Sequence, residues 1–201
     1  MPRRVLSLWF PRLASDRLLR RRMPGSGAAS TAGSGIGNEA AFAVTLRSSN
    51  IERLHCLNHE AAALGLAPGM SASDARALVP GLQSAPADLP AEARFLRLLC
   101  RWAGRYSPWV GLDGRDGLVL DITGAAHLFG GEAMMLTDMR TRMARAGLSL
   151  RAGLADTRGA AWALARYGSG GGSSSGPEQH SGKHAAKDSA ANPVARGAGG
   201  R

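Results

Sequence analysis

The acidic residues whose spacing suits chemistry lie in one stretch, Asp113, Asp116 and Asp121. Carboxylates gathered at strand ends are hard oxygen ligands. Two divalent cations held between such groups would support nucleotidyl transfer by bridging the attacking and leaving oxygens. Asp113 and Asp121 are the candidate metal ligands, and Asp116 could join them. An Asp beside a turn also bonds its own backbone. With no further carboxylate nearby, that structural role is favoured and any Mg²⁺ site would be weak. His55, Cys56 and His59 suggest zinc but lack a fourth ligand, and His180 and His184 stand in a stretch too poor in apolar groups to frame a site.

Cationic chemistry is more abundant. The chain of 201 residues has a formal charge of +10, and four cations against Glu178 and Asp188 leave eight of the ten net charges on residues 1–168. Most of the cations are arginines, which grip phosphate in a planar, bidentate manner, so nucleic acid is the leading partner class. Arg17, Arg20, Arg21 and Arg22 fall within one basic helix and could track a phosphate backbone; a solvated amphipathic face has the same pattern. Trp9, Trp102, Trp109 and Trp162 could stack on bases, but their apolar neighbours point to core packing.

Two cysteines without paired spacing, Cys56 and Cys100, suit a reducing cytosol, so a cytoplasmic location is expected. The apolar run Val5 to Phe10 is stopped by Pro11, too early for a signal peptide, and no stretch is long enough to span a membrane.

The elements that must position these residues alternate. Val5 to Phe10 has the pattern of a buried strand, followed by a helix from Leu13 to Arg22. Residues 23–38 are Gly, Ser, Ala and Thr, a flexible connection. A strand follows at 41–46, then short helices at 58–64, closed by Gly65, and from Ser71 to Pro80. Residues 90–105 are the longest helix, with Phe95, Leu98, Leu99 and Trp102 on one side and Arg94, Arg97, Arg101 and Arg105 on another. Strands at 109–112 and 118–122 flank a hairpin turn at 114–117. A helix at 132–146, a strand at 148–155 and a helix at 157–167 complete the series. Residues 169–201 contain a single large aliphatic residue, Val194, and are expected to be a disordered tail.

Four segments, in order, resemble the UmuC-type palm and fingers of Y-family translesion DNA polymerases. The first, Val5-Leu6-Ser7-Leu8-Trp9-Phe10, lies where that family has Asp-x-Asp, with Ser7 and Trp9 at the two Asp positions. The second, His59 to Pro80, is similar to Tyr-Glu-Ala-Arg-x-x-Gly-Val running into Gly-Met-Pro. His59 and Ala62 stand where the family's Tyr and Arg hold the triphosphate, whereas Gly65, Gly69, Met70 and Ala75 remain. The third, Tyr106 to Gly124, resembles Ser-Ile-Asp-Glu followed by Leu-Asp-Val-Thr, with Asp113 at the Asp, Gly114 at the Glu and a longer gap to Asp121. The fourth, Gly153 to Ala163, resembles Gly-Ile-Ala-x-Asn-Lys-x-x-Ala-Lys, with Arg158 keeping a positive charge and Trp162 replacing the second Lys.

The resemblance implies an α/β fold: a ferredoxin-like palm with a mixed sheet and packed helices over 1–168, a small helical fingers insertion at about 48–80, and the tail at 169–201. It also implies loss of catalysis, because Ser7, Trp9 and Gly114 supply no carboxylate, so no cofactor is expected, and Mg²⁺ only if displaced carboxylates restore activity. Leu128-Phe129-Gly130-Gly131-Glu132 and Ala160 to Tyr167 extend the likeness to the family's non-catalytic members of a bacterial mutasome. These imply an adaptor in damage-induced (SOS) mutagenesis that joins an error-prone C-family polymerase, a RecA-like accessory protein and the sliding clamp. Direct DNA binding is expected to be weak and sequence-independent. The alternatives are an active nucleotidyltransferase using Asp113, Asp116 and Asp121, or a truncated inactive fragment, since the thumb and little finger have no counterpart.

Overall fold

Val5, Leu6, Ser7 and Leu8 are all almost fully buried, so the strand they form is covered on both faces and reads as a nearly continuous apolar run. This is β1 (Val5–Trp9). It is followed by α1 (Leu13–Arg22), β2 (Phe42–Ser48), β3 (Ile51–Leu57), α2 (His59–Ala63), α3 (Ala72–Leu78) and β4 (Gln83–Pro86). Then come α4 (Leu89–Ala103), β5 (Val110–Asp113), β6 (Gly117–Asp121), a 3₁₀ turn at Ala126–Phe129, α5 (Glu132–Arg145), β7 (Arg151–Ala155) and α6 (Arg158–Tyr167). This computed structural model describes residues 3–22 and 40–168. The connection expected at 23–38 and the tail at 169–201, with His180 and His184, lie outside the described residues.

The larger sheet has the order β5-β6-β1-β7, the arrangement of a ferredoxin-like βαββαβ unit. Its pairs are antiparallel throughout. The expected mixture of strand directions falls instead in a second, three-stranded sheet, β3-β2-β4, where β2 pairs with β4 in parallel.

Register assigns the two faces of the larger sheet. Leu6 lies between Leu120 and Leu154, and Leu8 between Leu118 and Ala152. Leu6, Leu8 and Phe10 join Leu96, Leu99 and Ala103 of α4 and Met135, Met139 and Met143 of α5 in one apolar cluster. Ser7 points to the other face, between Val119 and Gly153. There α6 lies so close that a Cβ at Gly153 would collide with the backbone of Ala161 and Ala165. Glycine at 153 and alanines at 161 and 165 are what permit that approach.

The smaller lobe keeps the expected strand, as β2, and both expected short helices, capped by Asn58 and Ser71, but its other two strands were not revealed by the sequence pattern. β3 carries Glu52, Arg53 and His55, and its first three residues are exposed, so it lacks a clean apolar alternation. β4 has four residues and ends in a proline. A tight turn at Ser49 and Asn50, both at positive φ (49° and 63°), joins β2 to β3, the backbone of a type I′ hairpin. Ala14 and Leu19 of α1 pack on Phe42, Val44 and Cys56 and so tie the lobes together.

Candidate functional site

The site lies on the Ser7 face of the larger sheet, at the end marked by the β5–β6 hairpin. β1 brings Trp9 opposite Gly117, and the hairpin pairs Asp113 with the same glycine. Gly114, at φ 69°, adopts the left-handed backbone this turn requires. The hairpin therefore holds Asp113 and Asp116 beside the end of β1, where residues from both ends of α6, Arg158 and Arg166, reach them.

Arginines and an indole engage both carboxylates. Arg158 Nη2 donates to Asp113 Oδ1 at 2.7 Å, and Arg166 Nη1 lies 3.9 Å from Asp113 Oδ2, a charge contact rather than a hydrogen bond. Arg166 Nη2 reaches Asp116 Oδ1 at 3.5 Å, and Trp9 Nε1 donates to Asp116 Oδ2 at 2.8 Å. The Arg166 guanidinium sits between two indoles, 4.5 Å from the Trp162 ring centre and 5.5 Å from that of Trp9. Arg151 lies against Trp9 as well, at 5.6 Å. Asp113 and Arg166 are largely withdrawn from water, with side chains 13% and 14% exposed, whereas Arg158 is 62% exposed. Electrostatic attraction between Asp113 and Arg166 is therefore screened less than that of the surface pair.

Five of the sequence candidates thus converge: Trp9, Asp113, Asp116, Arg158 and Trp162. Others go elsewhere. Ser7 is buried on the same face, and its Oγ finds no hydrogen-bond partner among the described residues. Asp121 is not a partner of Asp113. It ends β6 opposite Val5, whereas Asp113 pairs with Gly117, a separation of four strand positions or roughly 13 Å. There it accepts from the Thr123 N–H at 3.0 Å and lies 3.4 Å from Arg3. These contacts, Thr123 first, hold its carboxyl below the usual range. His59 stands on α2 beside Arg12, at 3.4 Å, and Ala62 is exposed on the same helix. His55 bonds Glu92 and Cys56 contacts Ser15, so these two do not converge with His59.

Two further expectations change. Arg17 is buried, 7% exposed, and so is not part of an open phosphate-tracking row; Arg20 is half-buried, with its guanidinium over the Phe95 ring, and Arg21 and Arg22 close α1. Trp102 packs edge-on against Tyr106 as a core residue, but Trp109 is 75% exposed. It follows Pro108 at the entry to the edge strand β5, its carbonyl accepting from the Asp121 N–H while its side chain stays in solvent. Arg166 and Arg151 were not singled out from sequence. The signal for Arg166 was its position four residues after Trp162 on α6, which stacks the two side chains on one helix face.

The residues present do not fit a pair of divalent cations. Ser7, Trp9 and Gly114 offer no carboxylate, and Asp113 and Asp116 already face guanidinium groups. Among the described residues no three His, Cys, Asp or Glu side chains gather as a metal site.

Fold and site together define a polymerase-type palm whose hairpin carboxylates are bound by arginine. The sequence pattern of the impB/mucB/samB family matches residues 35–166, and the chain belongs to that family, which has the UmuC-type, Y-family polymerase domain. It is 57% identical over 105 residues to Protein ImuB of Caulobacter vibrioides, in two strains. The match covers 52% of this chain and 23% of that protein. In fold it is similar to DinB from Sulfolobus solfataricus, with a TM-score of 0.62 at 16% identity. The post-insertion binary complex of Dbh DNA polymerase gives a TM-score of 0.66 at 16% identity. Each likeness covers 81% of this chain and 45% of the other, so the chain spans under half the length of these polymerases and about a quarter of the ImuB proteins.

Proposed function

We propose that this chain is a non-catalytic, polymerase-like DNA-repair protein, an adaptor in damage-induced translesion synthesis and mutagenesis. One observation carries the reading. Where phosphoryl transfer would need free carboxylates to hold cations, Asp113 and Asp116 are engaged by Arg158, Arg166 and Trp9. The likeness to ImuB supports the same conclusion.

In this reading residues 1–168 are the palm with its fingers insertion, retained in the cytoplasm as a binding scaffold. Its partners, by the same likeness, are an error-prone C-family polymerase, a RecA-like accessory protein and the sliding clamp. DNA is held weakly and without sequence preference, through arginine contacts that salt screens. Among the described residues no helix is long and apolar enough to cross a membrane.

Primer extension by the purified chain, with Mg²⁺ or Mn²⁺, tests the proposal. No template-directed incorporation is expected. Incorporation that disappears in an Asp113→Ala, Asp116→Ala double variant would overturn it and establish an active polymerase with displaced carboxylates.

A further inference from the structure

The buried arginine of α1 has no role in the site above. Arg17 is 7% exposed, its Nε is sealed from solvent without a hydrogen-bond partner, and it makes no ion pair among the described residues. A guanidinium nitrogen sealed from water without a partner is costly, and a carboxylate arriving beside the same group, whose other nitrogens are not sealed, would offset part of that cost.

Arg17 lines an open cavity of about 400 Å³ between α1 and α4, with Arg20, Arg94, Phe95, Leu98 and Asp88. Three cations face one anion there. Asp88 is committed to the helix, its Oδ1 accepting from the Ala91 N–H at 2.9 Å as the cap of α4. Arg20 lies over the Phe95 ring at 5.4 Å, and Leu98 is half exposed. The cavity thus joins uncompensated positive charge to apolar surface. The chain's own segment between α1 and β2 is a poor source of negative charge, since Glu39 is its single acidic residue.

We propose that this cavity is a docking site for an acidic, leucine-rich segment of a protein partner, with a carboxylate meeting Arg17 and Arg94 and an aliphatic side chain resting on Phe95 and Leu98. Nucleic acid fits less well. A phosphate backbone is held by an open row of cations, whereas here one arginine is buried and aromatic and aliphatic groups share the lining. The cavity lies by α4, on the sheet face opposite the Asp113 hairpin, so occupancy is compatible with the palm site as described.

Fluorescence anisotropy with the full chain tests this, using a labelled peptide of alternating Glu and Leu. Controls are a Glu and Ser peptide of equal charge and a single-stranded oligonucleotide. The Glu/Leu peptide is expected to bind saturably and at least tenfold more tightly than the Glu/Ser peptide. Arg94→Glu, an exposed change, and Arg17→Met, which keeps the apolar stem, should each weaken it at least tenfold while circular dichroism stays unchanged. Equal binding of both peptides, or unaltered affinity in the Arg94→Glu variant, would overturn the proposal. Displacement of the peptide by the oligonucleotide, with matching loss in Arg94→Glu, would overturn it in favour of nucleic acid. Should Arg17→Met fail to fold, the Arg94→Glu result alone decides.

Discussion

The two faces of the palm sheet are built on opposite principles. On one, Leu6, Leu8 and Phe10 meet the aliphatic and methionine side chains of α4 and α5 in a core without charge. On the other, the alternate residues Ser7 and Trp9 face α6, and the contacts grade from small residues at Gly153 to the arginine, indole and carboxylate cluster at the hairpin. Adjacent positions on one strand thus serve different ends. The apolar face holds the fold, so the other can carry arginines, indoles and carboxylates without losing the architecture.

The sharpest test of this contrast is the close approach of α6. Gly153→Ala should cost about 3 kcal/mol, because the two nearest atoms in its way are backbone and cannot rotate aside. Urea denaturation would measure it; a loss below about 1 kcal/mol would mean that α6 moves freely on that face.

Neighbouring residues of β1 give the next comparison. Leu8→Ala should destabilise by about 3 kcal/mol through lost burial and a cavity. Ser7→Ala, which removes a buried hydroxyl without a partner among the described residues, should be neutral or stabilising by about 1 kcal/mol. Equal losses at both positions would erase the distinction between the faces.

Within the cluster, Arg166→Met should cost about 2 kcal/mol, since it strips the largely buried Asp113 of a countercharge and both indoles of a cation. Arg158→Ala should cost less than about 1 kcal/mol, its exposed pair with Asp113 being screened. The reverse order would show that the surface arginine, rather than the sandwiched one, holds the hairpin.

The smallest effect is the pH dependence at Asp121. Its carboxyl is held below the usual range, by Thr123 first and Arg3 as a lesser cause. The resulting stability is present above the unfolded-state value of about 3.9 and is lost as pH falls through the lower, folded-state value. Asp121→Asn should therefore lower the melting temperature slightly at neutral pH, and the difference should vanish in acid, once the pH has fallen below the folded-state value. A difference that persists in acid would assign the loss to packing instead.

Much of this was legible from residues alone. The run Val5 to Trp9 identified the central strand because a strand buried on both faces needs apolar residues at nearly every position. The period of three and four through Phe95, Leu98, Leu99 and Trp102 identified α4, but the stripe it buries runs through Leu96, Leu99 and Ala103, and Leu98 is half exposed. The absence of carboxylates at Ser7, Trp9 and Gly114 was equally plain, since residue type alone determines what can ligate a hard cation. What only tertiary structure decided was which charged groups meet. The register of β6 separates Asp121 from Asp113. The packing of α6 on Gly153 carries Arg158 and Arg166 to the hairpin, some 45 and 50 residues away in sequence. Strand edges and close helix contacts leave no periodic mark in composition. Exposure of Trp109 and burial of Arg17 follow from what lies beside them in space, and that is a property of the whole fold.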